Sequence, residues 1–263
     1  MNSLLEVNNL SYSWGENEVL KNLSFEVKPN QIVAILGKNG VGKTTLIKCL
    51  NRVLTPDSGT IKISSVDISE LSLMALSKLS SYVPQSIRTS FSMEVFDVVL
   101  LGRRPHISWR ISPDDREVVS RTLQLLGMEE FAFRRFDRLS GGERQRVVVA
   151  KAIAQNPDLF LFDEPTSDLD LRNQIEVMKT IEELVSDPNS RKSAIVSIHD
   201  INIAARFADR ILLLHEGEIK SEGTPIEVLT EENIAEVFEV SCEIIQSSGD
   251  STLRVLVKDE IKL

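Results

Sequence analysis

Residues Gly37-Lys38-Asn39-Gly40-Val41-Gly42-Lys43-Thr44 follow the pattern G-x-x-x-x-G-K-T. Glycines at these positions let successive backbone N–H groups converge on phosphate oxygens, and a helix start adds partial positive charge. With that cradle in place, Lys43 reaches the β and γ phosphates of a nucleotide, and the Thr44 hydroxyl ligates Mg²⁺. A second group, Leu159-Phe160-Leu161-Phe162-Asp163-Glu164, is an apolar strand ending in two carboxylates. Asp163 suits a magnesium ion held through its water shell, and Glu164, one residue on, suits polarising a water. A third group, Leu139-Ser140-Gly141-Gly142-Glu143-Arg144-Gln145, reads as another helix start. Ser140 can cap it and the glycines expose N–H groups to an anion. One anion site does not need two separate cradles.

The elements around these groups supply the context they require. The run Gln31–Leu36 reads as a buried strand entered by a turn at Pro29 and Asn30, and a helix follows from Lys43 to about Val53. Ahead of it, Leu4–Val7 and Leu23–Val27 alternate as strands; after it, the turn 58–60 leads to a strand Ile61–Ile63. Residues from about 86 to 157 are helical in pattern, including a helix over 113–126 that starts at Pro113 and Asp114 and stops at Gly127. From Leu159 the chain alternates: strand Leu159–Phe162, helix 171–186 with Ile175, Met178, Ile181 and Val185 on one face, strand Ala194–Ile198, helix 201–208, strand Ile211–Leu214. Such alternation predicts an α/β fold with a mostly parallel sheet covered by helices. After about residue 224 the pattern is two short helices and a polar terminal hairpin.

Composition narrows the class. With 263 residues, 42% hydrophobic and 26% charged, the chain is ordinary globular protein rather than a disordered or fibrous one. The longest apolar run, Ile32–Leu36, is far short of the roughly 20 residues that cross a bilayer. The first residues carry no basic segment leading into an apolar core, so no secretory signal is read there. Two cysteines, Cys49 and Cys242, read as free thiols. A net charge of −9 argues against nucleic acid as a partner. The charge is uneven: residues 37–52 and 134–151 are each +4, whereas 221–243 is −7. Two local positive segments on an acidic chain suit focused binding of a small anion.

Taken with the phosphate loop and the carboxylate pair, the Leu139–Gln145 segment makes the chain resemble an ATP-binding cassette (ABC) ATPase over residues 4 to about 240. The resemblance implies one nucleotide-binding domain over residues 1–263. It would be a P-loop NTPase core with an N-terminal antiparallel β subdomain, an inserted α-helical subdomain at about 86–157 and a C-terminal extension at about 224–263. It implies ATP and Mg²⁺ as cofactors. Nucleotide contacts then fall on Gly37, Asn39, Gly40, Gly42, Lys43, Thr44 and Thr45, and metal contacts on Thr44, Gln85 and Asp163. Glu164, His199 and Gln85 become the catalytic set, with Gln85 in Tyr-Val-Pro-Gln as the Q-loop glutamine and His199 as the switch histidine. Ser140, Gly141 and Gly142 form the signature that completes the site of a second copy, and Asp168 lies in the D-loop at that interface. Trp14 resembles the aromatic that stacks on adenine, with Tyr12 as the competing candidate.

Three further segments narrow the resemblance to importer ATPases. They are Leu101-Gly102-Arg103-Arg104-Pro105-His106, Leu171-Arg172-Asn173-Gln174, and the run from His199 to Arg206. Importers of this type take iron-siderophores, haem, cobalamin or, in some members, molybdate. The implied partners are a second copy of the chain, transmembrane permease subunits and, indirectly, a substrate-binding protein, at the cytoplasmic face of the cell membrane. Arg103, Arg104, His106 and Arg110 are the candidates to face the permease. A soluble ABC ATPase outside transport is the alternative.

Overall fold

All five residues of the Ile32–Leu36 run are buried, and alternate side chains leave on opposite sides. Ile32, Ala34 and Leu36 join one apolar layer, while Val33 and Ile35 join another. A strand that buries both faces belongs in the middle of a sheet. The computed structural model describes residues 3–85, 92–167, 169–187, 190–246 and 253–261.

In chain order, β1 (Leu5–Trp14) and β2 (Asn17–Val27) form a hairpin, followed by β3 (Ile32–Leu36) and α1 (Lys43–Leu50). β4 (Ser58–Ile63), β5 (Val66–Asp67), α2 (Leu73–Leu79) and β6 (Ser80–Val83) come next. The helical stretch holds α3 (Val95–Leu100), α4 (Pro113–Leu125) and α5 (Gly141–Gln155). The alternating half supplies β7 (Leu159–Asp163), α6 (Leu171–Ser186), β8 (Ser193–Ser197), α7 (Ile201–Phe207), β9 (Arg210–His215) and β10 (Glu218–Gly223). The chain closes with α8 (Pro225–Val228), α9 (Glu231–Phe238), β11 (Val240–Gln246) and β12 (Leu253–Glu260).

The central sheet has the order β10-β9-β3-β8-β7-β6, with only β10 antiparallel to its neighbour. An antiparallel sheet, β2-β1-β4-β5, covers one face together with α1, through Leu5, Leu20, Leu46 and Ile47. The helices α3 to α7 cover the other, through residues such as Val99, Val148 and Met178. This is the α/β architecture the alternation predicts. Of the α6 face, Met178, Ile181 and Val185 are buried and Ile175 is partly so.

Several boundaries differ from the sequence reading. The first hairpin is longer, with β1 running on to Trp14, because its pairing with β2 and β4 continues past the polar residues through register shifts. α1 ends at Leu50 rather than near Val53, because Asn51 caps it and Arg52 turns left-handed at φ 54°. Residues 58–60 are already strand, paired to β1. β6 and β10 were not expected. β6 carries Ser80 and Ser81 and gains its place from parallel pairing with β7, while β10 is a polar edge strand.

The Leu101–His106 segment is structural. Gly102 lies so close to α5 that an added Cβ would stand 2.1 Å from the Lys151 carbonyl oxygen. Arg103 donates from Nε to Asp115 Oδ1 at 3.1 Å and from a terminal nitrogen to the Ala154 carbonyl at 2.8 Å. His106 Nε2 sits 2.8 Å from the Gln155 carbonyl oxygen. Arg103 and His106 are therefore engaged in fastening this turn to α4 and α5. Only Arg104 and Arg110 of the four permease-facing candidates extend into solvent without such a bond.

Candidate nucleotide site

The parallel order β3-β8-β7 sets three strand ends side by side, at the edge where ligands bind in open α/β sheets. The phosphate loop leaves β3, the carboxylate pair ends β7, and His199 follows β8.

Gly42 caps α1 at φ 111°, a conformation that an L side chain rarely adopts, and an added Cβ would meet Leu20 Cδ2 at 2.8 Å. Only glycine can start the helix this close to β2. Lys43 is buried and its Nζ donates to the carbonyls of Gly37 at 2.7 Å and Lys38 at 3.0 Å. Burial lowers its pKa, and the nearby Glu164 and Asp163 act in the opposite direction. Asn39 and Gly40 are exposed on the loop, and Thr44 and Thr45 are half-buried in the first turn of α1. Lys38 forms an ion pair with Glu239, at the end of α9, at 2.6 Å.

Asp163 is buried, and each of its oxygens faces a donor. Thr44 Oγ1 and Ser197 Oγ both donate to Oδ1 at 2.9 Å, and the Tyr82 hydroxyl lies 3.5 Å from Oδ2. Burial, with the Asp163 charge beside it, pushes the Tyr82 phenol up to about 12. Glu164 adopts φ 49°, and its N–H donates to Ser197 Oγ at 2.8 Å. Its carboxylate accepts from Gln85 Nε2 at 2.5 Å and pairs with His199 Nε2. Residues from three separate segments, at 44, 82–85 and 197–199, thus surround the two carboxylates.

The signature segment behaves as a helix start. Ser140 Oγ accepts from the Glu143 N–H at 3.3 Å, and the Glu143 carboxylate accepts from the Ser140 N–H at 2.7 Å. The Ser140 N–H, and next to it the Ser140 hydroxyl, hold the Glu143 carboxyl below its usual pKa. Gly141 borders open space, and Gly142 lies against Leu169 and Asn173. Among the described residues, no contact joins Ser140 to the phosphate loop. Asp168 lies outside the described residues. Trp14 is 55% exposed, whereas Tyr12 is buried beneath it, with ring centroids 5.3 Å apart and an edge-on angle of 79°.

Sequence reasoning overlooked Ser197, Tyr82 and Glu239. Ser197 had a visible signal, as a lone hydroxyl inside the apolar run Ala194–Ile198. Tyr82 and Glu239 had none, because their partners are distant in the chain.

This arrangement agrees with the comparisons. Residues 20–167 match the family model described as ABC transporter. The chain belongs to the ABC transporter family. The cassette is accordingly an ATP-binding ATPase. It is 44% identical over 246 residues to an uncharacterized ABC transporter ATP-binding protein of Methanocaldococcus jannaschii, covering 94% of this chain and 95% of that one. It is 33% identical to the iron(3+)-hydroxamate import ATP-binding protein FhuC of Bacillus subtilis, covering 100% and 97%. Among solved structures it resembles a transporter described as of the metal-chelate type, in an inward-facing conformation. The TM-score is 0.85 at 30% identity, with 99% of each chain covered. No helix among the described residues is long and apolar enough to cross a membrane.

The donor set also fits magnesium. Thr44 and Asp163 supply hard oxygens, and Gln85 adds an amide. Among the described residues no cluster of three or more His, Cys, Asp or Glu forms a metal cage.

Proposed function

We propose that the cassette is the ATP-hydrolysing subunit of an importer and works as a head-to-tail pair around two ATP molecules. One observation carries this reading. The chain builds a phosphate cradle at α1, already joined to its carboxylates, and a second glycine-rich helix start at α5 whose Gly141 borders open space. A second copy gives that helix start a nucleotide to bind.

Each residue's role follows from its position. Lys43 exchanges its two carbonyl partners for phosphate oxygens. Thr44, Asp163 and Gln85 would hold Mg²⁺, which would supply charge neutralisation on the phosphates. Glu164 orients the attacking water and takes its proton, with His199 and Gln85 fixing the carboxylate. Trp14 offers an exposed ring to adenine. Ser140, Gly141 and Gly142 of one copy face the phosphates held by the other, with Gly37, Asn39, Gly40, Gly42 and Thr45 lining the cradle. Catalysis is mainly positioning and charge stabilisation.

The names of the relatives support a metal-chelate cargo of the iron-siderophore, haem or cobalamin type. The cassette then docks on transmembrane permease subunits at the cytoplasmic membrane face, with a substrate-binding protein as indirect partner. Glu164→Gln tests the core of this reading. The variant should bind ATP and run as a dimer in gel filtration with ATP while hydrolysis is lost. A monomer with unaltered turnover would reject it.

A further inference from the structure

We propose that Ser197 is a positioning residue for ATP hydrolysis, its hydroxyl locking Asp163 and Glu164 into a single register. The inference deepens the proposed function and rests on it.

β8 lies between the strand that carries the phosphate loop and the strand that carries the carboxylates. Ser197 pairs with Ile35 of β3 on one side and with Asp163 of β7 on the other. It is fully buried, and the three residues before it in the strand, Ala194, Ile195 and Val196, are apolar. A hydroxyl in such surroundings is costly unless it is hydrogen-bonded. Here it makes two bonds, accepting the Glu164 N–H at 2.8 Å and donating to Asp163 Oδ1 at 2.9 Å. A serine has one proton to give, so these two partners set its direction.

Both partners are assigned chemistry. Glu164 holds a left-handed backbone at φ 49°, which is unfavourable for a side chain and persists only where its surroundings impose it. The bond from its N–H to Ser197 is one such constraint, and with the backbone so turned its carboxylate meets Gln85 and His199. On Asp163 Oδ1, Thr44 is the other donor, and Thr44 is itself assigned to Mg²⁺. Ser197 is the donor on that oxygen that is not assigned to the metal. A serine that merely filled space would leave hydrolysis indifferent to its hydroxyl.

The test compares Ser197→Thr with Ser197→Val in the full chain, with Ser197→Ala alongside. Threonine and valine share a shape, so any packing cost is common to both and only the hydroxyl differs. The Val and Ala variants should hydrolyse saturating MgATP about 10- to 100-fold more slowly than the wild type, the scale of a hydrogen bond to a charged group. The Thr variant should recover most of that loss. By calorimetry, ATP affinity in EDTA should stay unchanged in all three, while the gain in affinity on adding Mg²⁺ shrinks for Val and Ala alone. Turnover in the Val variant equal to that in Thr overturns the inference. Amide hydrogen exchange of the wild-type chain gives a reading free of substitution: the Glu164 N–H should be strongly protected, and exchange at the unprotected rate overturns the inference. A wild-type chain that neither binds nor hydrolyses ATP overturns the proposed function and this inference together. Active wild type beside an equally active Val variant overturns this inference alone.

Discussion

Thr44 and Asp163 stand 119 positions apart in the chain, yet the Thr44 hydroxyl donates to Asp163 Oδ1 at 2.9 Å. The bond joins the first turn of α1 to the end of β7 across β8. It brings the Gly37–Thr44 loop and the acidic strand end into direct contact, with two oxygens side by side of the kind that suit magnesium.

Asp163→Asn tests that pairing. It keeps the shape but removes the charge. ATP affinity measured in EDTA should be preserved, and the added affinity with Mg²⁺ should disappear. Hydrolysis should fall by about 100-fold or more, since a metal's charge stabilisation is worth several kcal/mol. Calorimetry with and without Mg²⁺ decides the matter. Undiminished Mg²⁺ dependence would remove Asp163 from the metal site.

Mixing two inactive variants tests the head-to-tail arrangement. Lys43→Ala spoils the cradle and Ser140→Ala spoils the signature. In a mixed pair one site carries both lesions and the other carries none, so hydrolysis should reappear on mixing. Each site confined to one chain would instead leave the mixture inactive. Ser140→Ala should also cost about 1 kcal/mol of stability, because Ser140 caps α5.

Gly102→Ala should destabilise the fold by about 1–3 kcal/mol, the usual scale of overpacking. Its Cβ would press on the Lys151 backbone at 2.1 Å, which no side-chain rotation relieves. Urea unfolding would register the loss as a lower midpoint. A midpoint matching that of wild type would mean the turn carrying Arg103 and His106 can separate from α5 freely.

Alkaline pH should weaken the fold through two buried groups. Burial raises the Cys49 thiol from its ordinary 9.0 to about 12, and Tyr82 rises from 10.0 to about 12. Unfolded, both ionise earlier, so between about pH 9 and 12 the native chain binds more protons and its stability falls as pH rises. Burial lowers the pKa of Lys43, Lys151 and Lys192 and acts in the opposite sense, which makes the comparison with variants necessary. A Cys49→Ala, Tyr82→Phe double variant should lose less stability between pH 8 and 10.5 than wild type. Equal losses in urea titrations at the two pH values would contradict this.

Much of the fold was legible because its signals are local. The buried β3 run, the helix start at Gly42 and the periodic face of α6 each follow from neighbouring residues and the period of a helix or strand. β6 was not legible, since Ser-Ser-Tyr-Val carries no apolar alternation and its strand state comes from pairing with β7. The Leu101–His106 motif was recognisable as a pattern but not in its purpose. Arg103 and His106 bond to Asp115, Ala154 and Gln155, while Arg104 and the His106 ring stay exposed.

The motifs of this cassette were written in short stretches of residues: which loop has the glycine spacing of a phosphate cradle, which strand ends in carboxylates, which helix start carries the second glycine pair. Local backbone preference and side-chain type are enough to express those features. Tertiary structure alone decided that β8 lies between β3 and β7, that Ser197 meets both Asp163 and Glu164, and that Arg103 turns inward. Strand neighbours are chosen by the burial of whole faces across the fold, and a hydrogen bond between distant residues leaves no periodic trace along the chain.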